Sequence, residues 1–203
     1  MDKHIRQRIV KKAAELFPRL GFSKVTMDEL CDELGISKKT LYKYFTSKDE
    51  IADAVYQRNM KTIKNDFRKI IHGKEAYLKR LYKLCEFISE FLSRMTKTAQ
   101  QDLMKHRPDI WEKIETYRKQ EIFPIFNKMF DEGIKLGFVR QDVQKELLFL
   151  IFTSMVEGVI TPRTLIEQSF SMKDAFMGII TVFFNGVLTD KARVYYNKRF
   201  LKD

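Results

Sequence analysis

Thr26-Met27-Asp28-Glu29 and Ser47-Lys48-Asp49-Glu50 are two helix-start signatures of the same form, and Gly35 and Ser37 stand between them. In each, a hydroxyl can accept from the backbone N–H three residues on, while the glutamate reaches back to the cap's own N–H. A glycine behind a helical run stops it, and Ser37 can cap the next helix. The chain is thereby cut into a short helix ending at Leu34, a turn at Gly35-Ile36, and a second short helix from Lys38 to Phe45. The second signature then opens a long helix reaching to about Ile71. Upstream, Ile5, Ile9, Ala13, Leu16 and Phe17 recur at three- and four-residue spacing. That stripe predicts a first helix from about Lys3 to Leu20, with Pro18 in its last turn and Gly21 as its stop.

The remainder is also helical by pattern. Only 4 Pro and 8 Gly interrupt 203 residues, and 44% are hydrophobic, so long helices around a substantial core are expected. Leu78, Leu81, Tyr82, Cys85, Ile88 and Leu92 place one helix over Glu75–Lys97. Asp109–Leu136 reads as another, kinked at Pro124. Asp142 can cap an apolar helix to about Glu167, interrupted near Pro162, and Ser171 opens a last one through about Tyr196. The expected class is all-α, with an N-terminal three-helix helix-turn-helix domain over residues 1–50. A helical ligand-binding and dimerisation domain follows over 51–203.

Several function classes find no support. Cys31 and Cys85 are far apart, His4, His72 and His106 are scattered, and no metal-ligand spacing exists, so no metal and no cofactor are expected. Phosphate-binding glycine loops, G-x-S-x-G and cysteine–histidine pairs are lacking, which argues against an enzyme. The N-terminal stretch is too charged for a signal peptide. The most apolar run, Leu147–Ile160, contains Glu157 and is shorter than the ~20 residues of a membrane span. A cytoplasmic protein without a membrane partner is expected.

The net charge of +11 is unevenly placed. Residues 1–100 hold 22 Lys/Arg against 13 Asp/Glu, and residues 101–203 hold 16 against 14, so a polyanion is the expected partner of the first half. The helix after Gly35 concentrates that charge. Leu41 and Phe45 sit four apart and point inward, leaving Lys38, Lys39, Thr40, Tyr42, Lys43 and Tyr44 on the other faces. A helix of eight residues is about 12 Å long, which a B-DNA major groove admits. Lysines and tyrosines donate to phosphate oxygens, and Thr40 offers a hydroxyl or a methyl to a base edge. Ser37 and Lys38 lie at the positive end of the helix dipole, as does Lys48 on the next helix. Thr26 can meet phosphate on the opposite wall of the groove.

From Ile9 to Ala54 the chain resembles the DNA-binding domain of TetR-type repressors. The matching pieces are Ala14-Glu15-Leu16-Phe17, Gly21-Phe22, Thr26-Met27-Asp28-Glu29-Leu30 and Gly35-Ile36-Ser37-Lys38. Thr40-Leu41-Tyr42-Lys43-Tyr44-Phe45 and Ser47-Lys48 complete the order. The resemblance implies a recognition helix holding Thr40 to Tyr44, with Tyr42, Tyr44 and Lys48 as phosphate anchors on a double-stranded operator. Lys39 departs from the pattern, since many members carry glycine there.

Two later helices, around Leu147–Ile160 and Phe176–Val187, are apolar on more than one face. Such helices need cover around most of their circumference, which a homodimeric four-helix bundle supplies, and Ile180 and Phe184 are expected inside it. The resemblance implies the same dimer, and also a small-molecule effector in the C-terminal domain. Tyr56, Met60, Phe87, Phe91, Trp111, Tyr117, Phe126 and Phe152 are the candidate liners, with Met129 beside them and Glu86 and Glu157 as polar contacts. The alternative is a constitutive DNA-binding dimer with no effector, whose core would hold no cavity of ~300 Å³ or more.

Overall fold

A computed structural model describes residues 2–200. All regular elements in this range are helical, and the one extended contact is an isolated antiparallel bridge between Val139 and Leu188. Two compact units emerge: residues 1–64 with 94–115, and residues 65–93 with 116–203.

The first unit opens with α1 (Asp2–Leu20), which includes Pro18 and ends at Gly21, whose φ of 97° few side chains tolerate. Then come α2 (Met27–Leu34) and α3 (Lys38–Tyr44). Thr26 and Glu29 form the full capping box expected of them. Gly35 adopts the left-handed conformation (φ 63°, ψ 41°), and Ser37 Oγ accepts the Thr40 N–H at 3.1 Å. The helix α4 spans Lys48–Ile71, as expected. Its cap differs from the expected box in one bond. Ser47 Oγ accepts the Glu50 N–H at 3.2 Å, but the Glu50 carboxylate reaches back to the Thr46 N–H at 2.8 Å. Ile9, Ala13, Val25, Leu30, Leu41, Phe45 and Ile51 form the fully buried centre of this unit. The helices α6 (Lys97–His106) and α7 (Pro108–Tyr117) complete it, α6 packing on α1.

In the second unit, α5 (Tyr77–Ser93) packs against α11 (Met172–Val187), α12 (Asp190–Phe200) and α8 (Phe123–Lys135), while α9 (Lys145–Val159) packs on α8 and α11. A short α10 (Pro162–Glu167) is capped by Thr161. Three sequence expectations change here. The helix expected over Asp109–Leu136 is broken by a π-helical turn at Arg118–Ile122, which widens the backbone just before Pro124 and seats that proline at the start of α8. Asp142 does not cap α9; its carboxylate pairs with Arg140, and Gln144 takes the cap position without a side-chain bond. The last helix is two, because Arg140 N–H donates to Val187 O at 2.9 Å and Thr189 N–H to Phe138 O at 3.0 Å. That long-range pairing pulls residues 188–189 out of helical geometry.

Candidate nucleic-acid interface

Leu41 and Phe45, both fully buried, fix the inner side of α3, so its orientation is set by packing. Lys38, Lys39, Tyr42 and Lys43 are exposed on its outer side, and Thr40 and Tyr44 are half-buried. Tyr42 is 50% exposed, among the more exposed large side chains of the chain. Its ring therefore offers a hydroxyl to an external partner at little desolvation cost.

Several of the expected contacts already have partners within the chain. Lys38 Nζ pairs with Asp28 of α2 at 2.8 Å, which holds its ammonium in the charged form. The Ser37 and Thr40 hydroxyls lie 2.9 Å apart, leaving the Thr40 methyl and its remaining lone pair for a base edge. Thr26 Oγ is closed into its capping box, donating to the Glu29 carboxylate at 3.2 Å. Lys43 Nζ lies 5.7 Å from the centre of the Tyr44 ring. Lys48 donates to the carbonyls of Phe22 at 2.9 Å and Ser23 at 3.2 Å, and sits 4.5 Å from the Phe22 ring centre. Its ammonium thus ties the start of α4 to the α1–α2 loop, with two of its three protons committed there.

Two positioning residues are invisible to sequence reasoning. Ser23 N–H donates to the Asp102 carboxylate of α6 at 2.8 Å, and its hydroxyl donates to the other oxygen. Burial alone would raise the Asp102 carboxyl, but the Ser23 bonds, aided by His106, hold it below the ordinary value. Arg107, 6% exposed, makes a two-point pair with Asp109 at 2.8 Å and also reaches Asp49 Oδ1 at 3.3 Å and Asp53 Oδ1 at 3.2 Å. Asp109 is correspondingly held far below the ordinary carboxylate range, chiefly by the Arg107 hydrogen bond. Both residues, one on α6 and one just beyond its end, brace the helix-turn-helix from positions remote in sequence, where no local motif signals them.

The arrangement is a short, outward basic helix held by a two-helix clamp. The sequence profile of the family described as bacterial regulatory proteins, tetR family, matches residues 9–55, which hold α2, α3 and the start of α4 but not the bracing Asp102 and Arg107. An uncharacterized HTH-type transcriptional regulator from Bacillus subtilis (strain 168), YvaF, is 25% identical over 192 residues, covering 94% of this chain and 97% of that one. Over residues 9–55 the chain is similar to the tetR family of bacterial regulatory proteins. The relatives it matches are HTH-type transcriptional regulators. The same fold extends past the matched segment. A TetR-family regulator from Agrobacterium tumefaciens superposes with a TM-score of 0.68 at 12% identity, over 93% of this chain and 100% of that one. A regulator from Saccharomonospora viridis, solved in complex with choline, superposes at 0.67 with 19% identity, over 92% and 99%.

The helices outside the interface carry the candidate effector residues. Tyr56, Met60 and Trp111 fall in the first unit, where Tyr56 Oη donates to Lys113 O at 3.0 Å and Trp111 Nε1 to Glu115 at 2.7 Å. Phe87, Phe91, Tyr117, Phe126 and Phe152 fall in the second. Phe87 is half-buried and edge-on to Phe67 at 5.7 Å, and Phe91 and Tyr117 are half-buried. Phe126 and Phe152 are in ring contact at 4.7 Å, deep in a cluster with Phe130, Phe183 and Phe184. Glu86 accepts from Tyr82 Oη at 3.1 Å. The second unit also holds a cavity of about 280 Å³ lined by the expected polar contact Glu157 and by residues not expected as liners: Lys119, Phe123, Pro124 and Asn127 on one side, Phe149 and Thr153 with Glu157 on the other. Of these, Glu157 is the one that stands out in the sequence, by its charge within an apolar run.

The expected dimer helices show an apolar outer stripe, but not the one anticipated. Ile180 and Phe184 are fully buried within the protomer, in the second unit's own core. The exposed apolar residues are Leu147, Leu150 and Ile151 on α9 and Val182, 68% exposed, on α11. Gly158, Gly178 and Gly186 lie on the same two helices, with open space where a Cβ would stand.

Proposed function

We propose that the chain is a homodimeric repressor that binds a pseudo-palindromic operator through α3 and is released by a small molecule held in its second unit. The observation that carries this reading is α3 itself, with Leu41 and Phe45 locked inside and Lys39, Tyr42 and Lys43 presented outward. Residues 1–50 serve DNA, and residues 51–203 serve dimerisation and control. Lys38, Lys39, Lys43, Tyr42, Tyr44 and Lys48 neutralise or bond phosphates, Ser37 and Thr26 frame the helix ends, and Thr40 reads a base.

The dimer reading is supported by the exposed stripe of Leu147, Leu150, Ile151 and Val182, beside glycines that permit close helix approach. Two protomers then present two recognition helices, which fit half-sites about 34 Å apart, one turn of duplex. Control is proposed to run along α4. That helix starts at Lys48, bonded to the Phe22 and Ser23 carbonyls, and continues as one element into the second unit's residues. A ligand with ~3 kcal/mol of preference for one arrangement releases DNA about 150-fold.

The constitutive dimer is the second reading, favoured by the closed ring cluster around Phe130 and Phe152. The cavity of about 280 Å³ falls just short of the ~300 Å³ at which ligand sites begin, so its volume does not exclude that reading and suits only a small effector. The test is selection of bound duplexes from a random pool, with stoichiometry by sedimentation. Two-fold symmetric sites carrying two chains are expected, and Val182→Asp is expected to weaken dimer and duplex binding together while the fold persists. Asymmetric sites bound by one chain would overturn the reading.

A further inference from the structure

The cavity of the second unit is a cleft open to solvent, between the π-helical turn with the start of α8 and one strip of α9. Phe149, Thr153 and Glu157 follow at four-residue steps along α9, so they share a face. The floor is aromatic: the Phe123 and Phe149 rings meet edge to face at 6.2 Å with planes at 89°. Ring faces carry negative electrostatic potential and hold cations.

The polar groups on the lining are mostly acceptors. Glu157 brings a carboxylate. Thr153, buried at 8% exposure, has its proton committed to the Leu150 carbonyl at 3.1 Å, so its oxygen can only accept. Asn127 can present either end of its amide. Lys119 is the cation of the lining, 3.4 Å from Glu157, and the two side chains are 60% and 41% exposed. A pair that exposed contributes little, and the lysine stem is free to turn outward. An incoming anion would meet Glu157 and two ring faces, with one exposed donor to hold it. An incoming ammonium would replace Lys119 against Glu157, with ring faces beside it.

We propose that this cavity binds a small organic ammonium with an apolar body, its N–H groups on Glu157 and Thr153 and its body against Phe123, Phe149 and Pro124. The proposal rests on the effector reading above only for its regulatory consequence; the binding site stands or falls separately.

The experiment titrates three probes that share one phenyl body into the full chain by calorimetry: phenethylammonium, 2-phenylethanol and 3-phenylpropanoate. Phenethylammonium is expected to bind most tightly. Glu157→Gln should weaken it about two- to fivefold, and Lys119→Met, which removes the competing cation, should tighten it by a similar factor. Both substitutions fall on exposed side chains, and circular dichroism checks that the fold is kept. Equal affinity for the three probes, preference for the anion, or an affinity unmoved by Glu157→Gln would overturn the proposal. Affinity for a selected duplex is measured in parallel. If phenethylammonium binds through Glu157 and duplex affinity is unchanged, the site holds and release by this cavity fails. If no probe binds while another compound releases the duplex, the cavity proposal fails and the effector reading holds.

Discussion

Ser23 and Asp102, seventy-nine positions apart in the chain, are joined by two hydrogen bonds: the Ser23 N–H at 2.8 Å to one carboxylate oxygen and its hydroxyl to the other. The α1–α2 loop, which sets where α2 and α3 begin, is thus held from α6. A Cβ on Gly21 beside it would stand 3.1 Å from the same carboxylate, tighter than an ordinary contact, and the φ of 97° there disfavours any side chain.

This bond has a pH signature. The folded Asp102 carboxyl lies below its ordinary value, so its contribution is present above the unfolded value of ~3.9 and is lost as pH falls through the folded one. Asp102→Ala should destabilise the first unit by about 1–3 kcal/mol at neutral pH, the cost of a stranded donor. The buried Trp111, the chain's single tryptophan, reports it in urea titrations. The difference between the two chains should shrink as pH drops below about 4; a constant difference would refute the charge contribution.

Gly133 on α8 makes a second demand that is purely steric. A Cβ there would stand 2.3 Å from Tyr77 Oη and 2.6 Å from Val139 Cγ2. Gly133→Ala is expected to cost about 1–3 kcal/mol by overpacking. Tyr77 Oη is buried and finds no hydrogen-bond partner among the described residues. Tyr77→Phe should therefore be neutral or stabilising by about 1 kcal/mol, and should relieve part of the Gly133→Ala loss. Thermal melts of the two single variants and the double variant measure the coupling.

How much of the fold and the interface is legible in the sequence depends on the range of each interaction. The Thr26 box, the Gly35 turn and the Ser37 cap are bonds among neighbours, and their spacing alone places α2 and α3 correctly. Asp102 and Arg107 act across long separations, so nothing near them announces a role. The split at Leu188 arises from pairing with Phe138 and Arg140, which a local pattern for one long helix does not include. Aromatic content is likewise ambiguous: Phe126 and Phe152 fill a core, while Phe123 and Phe149, no different in type, line a cavity. Inward and outward faces of α11 are also undecided by an all-round apolar pattern, and it is Val182 rather than Ile180 that faces out.

The Lys38–Asp28 pair bears on affinity for DNA. Asp28 places a carboxylate 2.8 Å from an ammonium expected to meet phosphate. Asp28→Asn removes that competing anion and should tighten binding to all duplexes alike, with a steeper salt dependence, as one more cation becomes available to the backbone. Fluorescence anisotropy at several salt concentrations measures it. Unchanged affinity would mean that Lys38 stays off the DNA.

The central claim is that the outer side of α3 lies against duplex DNA. Lys39 and Lys43 are exposed there, and their removal leaves Leu41 and Phe45 untouched, so Trp111 fluorescence and the urea midpoint should be unchanged. The decisive measurement is the slope of log affinity against log salt for the unmodified chain and for Lys39→Ala/Lys43→Ala on the same selected duplex. The account expects weaker binding and a slope shallower by about 0.9 for each phosphate that the variant no longer neutralises. An unchanged slope and affinity in a folded double variant would contradict it.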